Sequence, residues 1–540
     1  MRRGTSKRHP RPPGFAYFVV PILCLVSSGR ALAQSPLPDS FHPQVNEVYA
    51  LAVQTDGRIA IGGDSYLARL NCDGTQTPGF NPQPEGGYPY NTASVRSLAI
   101  QADGRILAGG YFTTLGGQPR HHIARLNVDG TLDAGFNPGA DGGVWSLALQ
   151  ADGKIVAQGD FTAMGGQPRA GMARLNPDGT LDPEFNPGRG GGIMGSLAVQ
   201  ADGKILIGGL FSSGLFRLNA DGTLDERFNP GAAGGYSSAP VFALAVQADG
   251  KILVGGGFST LGGQPRTHIG RLNADGTLDE GFNPGTDSGM LSPVYSLALQ
   301  ANGNILLAGR FATVYGQPRD GIARLNANGS LDSGFNPDLD FGEDSTQVSS
   351  LAIQADGKIL VAGDFIGVAG QPRSGIARLN NTEPATQSVT FDGSTLIWTR
   401  GGTSPEVWRT TFEYSPDGAS WTNLGAGIRI NGGWQLNGLA LPTNSTFRAR
   451  GYTVAGGSSS WFVETVLRPA LVISGIVYSA NGPFRFSAGG PAGHGVVVES
   501  SPDLRIWTPL QTNTLGADPL SLSDPQTGVT SRFYRLRSGP

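Results

Sequence analysis

Residues 246–258 read VQADGKILVGGGF, and residues 271–284 of the same unit read RLNADGTLDEGFNP. Each places an Asp-Gly pair between two apolar or strand-forming runs. Glycine accepts the positive φ that a tight turn needs, so each pair reads as a hairpin. Two hairpins joined by a loop give four short antiparallel strands. The unit recurs along the chain. Its marker, Gln-x-Asp/Asn-Gly, begins at Gln54, Gln101, Gln150, Gln200, Gln247, Gln300 and Gln354. The internal order is constant. An apolar strand such as VYSLALQ (294–300) leads to the first turn and second strand. A loop follows, often with Gly-Gln-Pro-Arg. Then come IARLN (123–127), a second Asp-Gly and TLDAGFNP (131–138).

One four-stranded sheet cannot bury both of its faces, whereas seven arranged radially can. The spacing therefore predicts an all-β, seven-bladed β-propeller over residues 34–384. The first strand of each unit supports this. Ala50, Ala52, Ser97, Ala99, Ser146 and Ala148 are small, as crowding around an axis requires. The seventh unit loses its last strand after IARLN (376–380). PLPDSFHP (36–43) matches the missing TLDSGFNP-type stretch, so the N-terminal strand is expected to close the ring.

These motifs, VQADGKILVGGGF and IARLNxDGTLDxxFNP, resemble the delta-60 repeat family of bacterial secreted proteins over about 34–381. The resemblance implies a propeller and an extracellular setting, and no particular activity. Units one and four lack the Gly-Gln-Pro-Arg loop.

Beyond residue 385 the pattern changes. EYSPDGASWTNL (413–424) and ESSPDLRIWTPL (499–510) share Glu-x-Ser-Pro-Asp-x3-Trp-Thr-x-Leu, and STFRAR (445–450) parallels SRFYRLR (531–537). They are expected to be two small β-sandwich modules, 385–468 and a shorter 469–540. Both resemble fibronectin type III or immunoglobulin-like domains.

At the other end, Arg2, Arg3, Lys7, Arg8 and Arg11 precede the apolar GFAYFVVPILCLVSS (14–28) and the small residues ALA (31–33). This reads as a signal peptide over 1–33 and predicts export to the extracellular space, cell surface or periplasm. Its removal takes the formal charge from −3 to −9 and leaves Cys72 as the remaining cysteine. No intramolecular disulfide is then possible. An acidic chain has no electrostatic reason to seek nucleic acid. No later segment is apolar enough for a transmembrane anchor. A monomer is expected.

Asn-x-Asp-Gly-x-x-Asp looks like the back half of a propeller calcium loop. The first ligand position, however, holds Arg69, Arg125, Arg174, Arg217, Arg271, Arg324 or Arg378. A guanidinium there repels a cation and instead suits a carboxylate partner. The reading is of turns closed by Arg–Asp pairs, with calcium as the alternative. No metal and no cofactor are assigned.

Strand order puts both Asp-Gly turns on one face of the disc. The 2–3 loops and inter-blade connections fall on the other, more variable face, where binding is expected. Two positions vary at that face. One is the second residue of strand one: Tyr49, Arg96, Trp145, Met194, Phe242, Tyr295 and Ser349. The other follows the glycines of strand two: Asp64, Tyr111, Asp160, Leu210, Gly257, Arg310 and Asp364. Trp145, Tyr49, Arg96, Tyr295, Asp160 and Asp364 are the candidate residues for a carbohydrate or protein ligand, with Trp145 expected to leave one ring face open. The competing reading packs these aromatics between blades.

Catalytic patterns are scarce, and no catalytic residue is assigned. No Gly-x-Ser-x-Gly elbow, zinc-type histidine spacing or phosphate-cradling motif occurs. The expectation is a non-catalytic binding protein. The alternative is a secreted carbohydrate-active enzyme using Asp64, Asp160 and Asp364 at the channel mouth.

Overall fold

The computed structural model describes residues 36–538, apart from 44, 46, 88–91, 189–194, 211–213, 235–238, 288–291, 343–346, 382, 417–419, 442–444, 456–458, 469–471, 478–483, 491–494, 503–504, 517–518 and 525–532. The signal-peptide reading over 1–33, and Met194, lie outside the described residues.

Every named element is a β-strand. The innermost strands are Val48–Val53, Ser94–Ile100, Val144–Leu149, Ser196–Val199, Val241–Val246, Val294–Leu299 and Val348–Ile353. Each touches the next, and the seventh touches the first, so the ring is closed. Their small residues let them approach. Ser97 and Ser296, both buried, accept backbone N–H bonds from Leu147 and Leu351 of the following blades.

Each blade has three full strands rather than the expected four. In blade three, Val144–Leu149 pairs with Ile155–Gly159, which pairs with Met172–Leu175. The fourth segment makes a single bridge, Leu175 to Leu181, before the chain turns away. The side chains beyond that bridge explain the turn. Asp182 accepts Arg174 Nε at 2.8 Å and Lys154 Nζ at 2.8 Å. Phe185 then drops into the gap between blades, where it is fully buried under the Arg174 guanidinium.

The polar groups of the second turn bond to one another. Asp178 Oδ1 accepts the Thr180 amide at 2.9 Å, and the Asn176 amide nitrogen reaches Thr180 Oγ1. Arg174 holds Asp182 as the spacing suggested. The arginine also does something the sequence did not disclose. Arg174 Nη1 donates to the Ala220 carbonyl of blade four at 2.7 Å, and Arg217 Nη1 donates to Ala274 O of blade five at 2.7 Å. Arg69, Arg125 and Arg271 reach Val128 O, Pro177 O and Ala327 O in the same way, so five consecutive blades clasp the second turn of their successor. Glycine is required in that turn. Gly179 has φ +96°, and a Cβ there would stand 2.6 Å from Phe136 of blade two.

The N-terminus completes blade seven. Pro38 bridges Leu379, Asp39 N donates to Arg378 O at 3.0 Å, and Asn380 N donates to Leu37 O at 2.9 Å. Asp39 takes the place of Asp182 and accepts Arg378 at 2.8 Å and Lys358 at 3.0 Å. Phe41 takes the place of Phe185, fully buried below Arg378. Arg378 Nη1 then reaches Cys72 O of blade one at 2.7 Å, so the clasp crosses the junction.

Beyond the ring lie two pairs of sheets. In the first pair, Ala385–Phe391, Leu396–Gly402, Ile428–Ile430 and Gly433–Leu436 face Arg409–Ser415, Thr422–Ala426, Thr446–Ala455 and Ser459–Leu467. They enclose Trp398, Phe412, Trp434 and Phe447. The second pair has three strands in each sheet and a smaller core around Phe486, Val496 and Val498. The shared sequence motif has a structural cause. Glu413 is held by Arg448 and Arg450 from the opposite strand, and Glu499 by Arg535 and Arg537. Arg448 lies over Trp421 and Arg535 over Trp507.

Candidate functional site

Six of the inner strands carry a β-bulge near their start. The register slips between Val48 and Ala50, Val95 and Ser97, Val144 and Ser146, Val241 and Ala243, Val294 and Ser296, and Val348 and Ser350. Tyr49, Arg96, Trp145, Phe242, Tyr295 and Ser349 are therefore the bulged residues. A bulge re-aims a side chain out of the alternating pattern. Among the described residues, six blades use it at the same end of the ring.

Blades one to three bring four of the six candidates together. The Arg96 guanidinium lies 3.7 Å from the centre of the Tyr49 ring and 5.7 Å from that of Trp145. It also pairs with Asp64 at 3.4 Å. The Tyr49 hydroxyl bonds Asp64 at 2.9 Å and also meets Glu47. Burial, then the Glu47 bond, push the Tyr49 phenol up, against the pull of Arg96. The Tyr111 hydroxyl donates to Asp160, and its ring meets Trp145 edge-on at 5.1 Å. Tyr295 stands apart, with Phe242 at 5.3 Å. Asp364 accepts Gln347 Nε2 at 3.2 Å. The carboxylates proposed for hydrolysis are thus engaged by a phenol, a guanidinium or an amide.

Trp145 departs from expectation. It is only 8% exposed, so no open ring face is presented. The small neighbours that suggested room accommodate Tyr111 instead. A Cβ on Gly143 would stand 2.4 Å from the Tyr111 ring. Tyr111 therefore covers the indole, and the surface offered here is made by Tyr49, Arg96, Asp64 and Asp160. Glu47 and Tyr66 were missed by sequence reasoning, because they fall outside the two variable positions. Tyr66 donates to the Glu47 carbonyl at 2.8 Å and shapes the rim of blade one. There the missing Gly-Gln-Pro-Arg loop is replaced by Asp64–Ser65, with Ser65 at φ +59°. In blades two, three, five and six that loop is a small hairpin whose arginine is buried. Arg169, for example, bonds the carbonyls of Pro168 and Asp182.

The opposite face is occupied. The first C-terminal sandwich seats on the first Asp-Gly turns and enters the channel. Tyr452, Trp461 and Phe462 are buried in one cluster with Ala50, Ala52 and Leu98 of the inner strands. Ser460 pairs with Ala99, and Arg409 donates to Gln150 O at 3.0 Å. Burial drives the Arg409 pKa down to about 10. Between blades four and five and this sandwich remains a cleft of about 240 Å³, bounded by Asp202, Gln247, Trp408 and Arg429.

The sequence profile of the family described as "Domain of unknown function (DUF5122) beta-propeller" matches residues 54–80, 101–136, 150–185, 200–228, 247–282, 300–335 and 354–382. Comparison with curated proteins gives no match. Solved structures with some likeness include a chain of the mitotic checkpoint complex, at 15% identity and a TM-score of 0.40, covering 68% of this chain and 99% of that one. A protein described as a gluconolactonase follows at 12% and 0.31, covering 64% and 92%. The extracellular region of plexin A4 stands at 10% and 0.33, covering 93% and 80%. The seven profile matches fall one to a blade, and residues 54–382 are an array of β-propeller repeats of this family.

Proposed function

We propose that the chain is an exported, non-catalytic binding protein that takes a carbohydrate or protein ligand on the variable face of its propeller. The reading carries with it a delta-60-type ring over 34–384 and two fibronectin type III- or immunoglobulin-like modules, 385–468 and 469–540. The observation that supports it is the ring of bulges. Backbone geometry is kept constant in six blades while the residue it displays changes. A scaffold that holds position and varies chemistry suits recognition. The other mouth is filled by the chain itself, which leaves the bulge face as the accessible end of the channel. At blades one to three this face offers aromatic edges, a guanidinium and two carboxylates, which suit hydroxyl-rich or peptide ligands.

A glycan array and a peptide display library, both probed with the full chain, test the proposal. Arg96→Ala and Tyr49→Ala should each weaken a selected ligand by about 1–3 kcal/mol. Ser330→Ala, on the opposite face, should leave affinity unchanged. Ligands that bind all three variants equally would overturn the assignment of this face.

A further inference from the structure

The seven first turns are near copies, yet the C-terminal sandwich sits on them in one rotation. We infer that blade six carries the address for that seating, written as an asparagine in place of an aspartate. In the other blades the turn residue is Asp56, Asp103, Asp152, Asp202, Asp249 or Asp356; in blade six it is Asn302. Blade six is also where the sandwich adds itself to the turn as an extra edge. Gln300 bridges Pro405, Ala301 N donates to Ser404 O at 2.7 Å, Asn302 N donates to Gly402 O at 3.0 Å, and Glu406 N donates to Leu299 O at 2.8 Å.

The substitution keeps one function of the aspartate and changes another. Asn302 Oδ1 accepts the Asn304 amide at 3.1 Å, as Asp152 Oδ1 accepts the Lys154 amide at 3.1 Å. The turn is therefore capped as before. The remaining group, Nδ2, donates to Glu383 Oε2 at 3.4 Å. An aspartate would set a carboxylate against the Glu383 carboxylate. Glu383 lies in the link between blade seven and the sandwich, so its position follows the seating. Glu383 follows Asn380 of blade seven by three residues, a reach of about 10 Å, so the competing seatings are those over the turns adjacent to blade six, whose aspartates would meet that repulsion. The asparagine thus both attracts the correct arrangement and leaves the wrong ones penalised, the usual structure of a specificity device.

Hydrogen exchange on the full chain tests this. Asn302→Asp installs the residue that six sister turns already hold, so the fold tolerates it. The pair is exposed, and exchange should rise by roughly two- to five-fold. It should rise both in a peptide covering 299–306 and in one covering 95–101, which meets the sandwich at a distant blade. Asn302→Asp combined with Glu383→Gln should return both peptides to the parent rate. Asp249→Asn in blade five should change neither. A rise confined to 299–306 would mean a local turn effect and would overturn the inference, as would failure of Glu383→Gln to restore the parent rate.

Discussion

Phe41→Ala probes the closure of the ring. Phe41 is fully buried, and the Arg378 guanidinium lies 4.7 Å from its ring centre. Phe136 holds the same place in blade two, fully buried with Arg125 at 4.4 Å. Truncating a buried phenylalanine costs about 3–5 kcal/mol, and loss of the cation–π contact is included in that figure. Unfolding entropy near 2.1 cal/mol/K per residue over about 340 residues converts this to a fall of roughly 4–7 °C in the melting midpoint. Phe136→Ala should give a similar fall. The difference between the two sites is topological. Phe136 continues directly from the strands it stabilises, whereas Phe41 is distant in sequence from Leu379. If the N-terminal segment is an integral part of blade seven, the two variants lose equal stability, and Phe41→Ala also frees the Asn380 amide, which is held by Leu37 O. Differential scanning calorimetry and hydrogen exchange at Asn380 provide the readouts. A Phe41→Ala midpoint within 1 °C of the parent, beside a full loss for Phe136→Ala, would refute ring closure by this segment.

Three further outcomes follow from the geometry. Acid should loosen the clasps: burial raises the pKa of Asp39, but the Phe41 amide, Arg378 and Lys358 outweigh it and hold the carboxyl below its ordinary value, and at Asp225 Lys204 does the same against burial. A depressed aspartate stabilises fully above its unfolded pKa and loses that contribution as pH falls through the folded one, so melts should be flat at neutral pH and decline below about pH 4. Millimolar calcium and a chelator should give coincident melts, because a guanidinium stands at the first ligand position; a calcium-dependent rise in midpoint would contradict the Arg–Asp reading. Trp145→Ala should cost about 3–5 kcal/mol of stability, since the indole is buried against Tyr111, and a variant that melts like the parent would show that packing unimportant.

Much of the ring was legible because its signals are local. Asp-Gly turns, small inner residues and a recurring marker each report on a few neighbouring residues, and repetition removes the ambiguity of any single copy. The N-terminal closure was legible for the same reason, since DSFHP carries the aspartate, phenylalanine and proline of the final segment. The fourth strand was misjudged because TLDAGFNP has strand-like composition, while its Asp and Phe are drawn to Arg and to the inter-blade gap. Trp145 was misjudged because small neighbours can make room for solvent or for another ring, and sequence does not distinguish the two. The bulges leave a trace, in that a variable residue follows a valine in otherwise constant strands, but the register slip itself depends on the partner strand. The seating of the sandwich involves residues hundreds of positions apart, such as Leu98 with Ser459, and leaves little local trace beyond the odd asparagine at 302.

The clasp from each arginine to the next turn has a consequence for how such rings are sized. Every clasp is made with the nearest neighbour alone, in the same geometry, so no blade senses how many others there are. An eighth copy, or a lost one, would satisfy each clasping arginine equally well. The C-terminal sandwich is different, because it spans the circle from Leu98 and Gln150 on one side to Leu299 and Asn302 on the other. Those two footholds keep their separation only at one angular spacing. The sandwich therefore works as a gauge: the repeats supply copies, and the piece that is not a repeat takes the census.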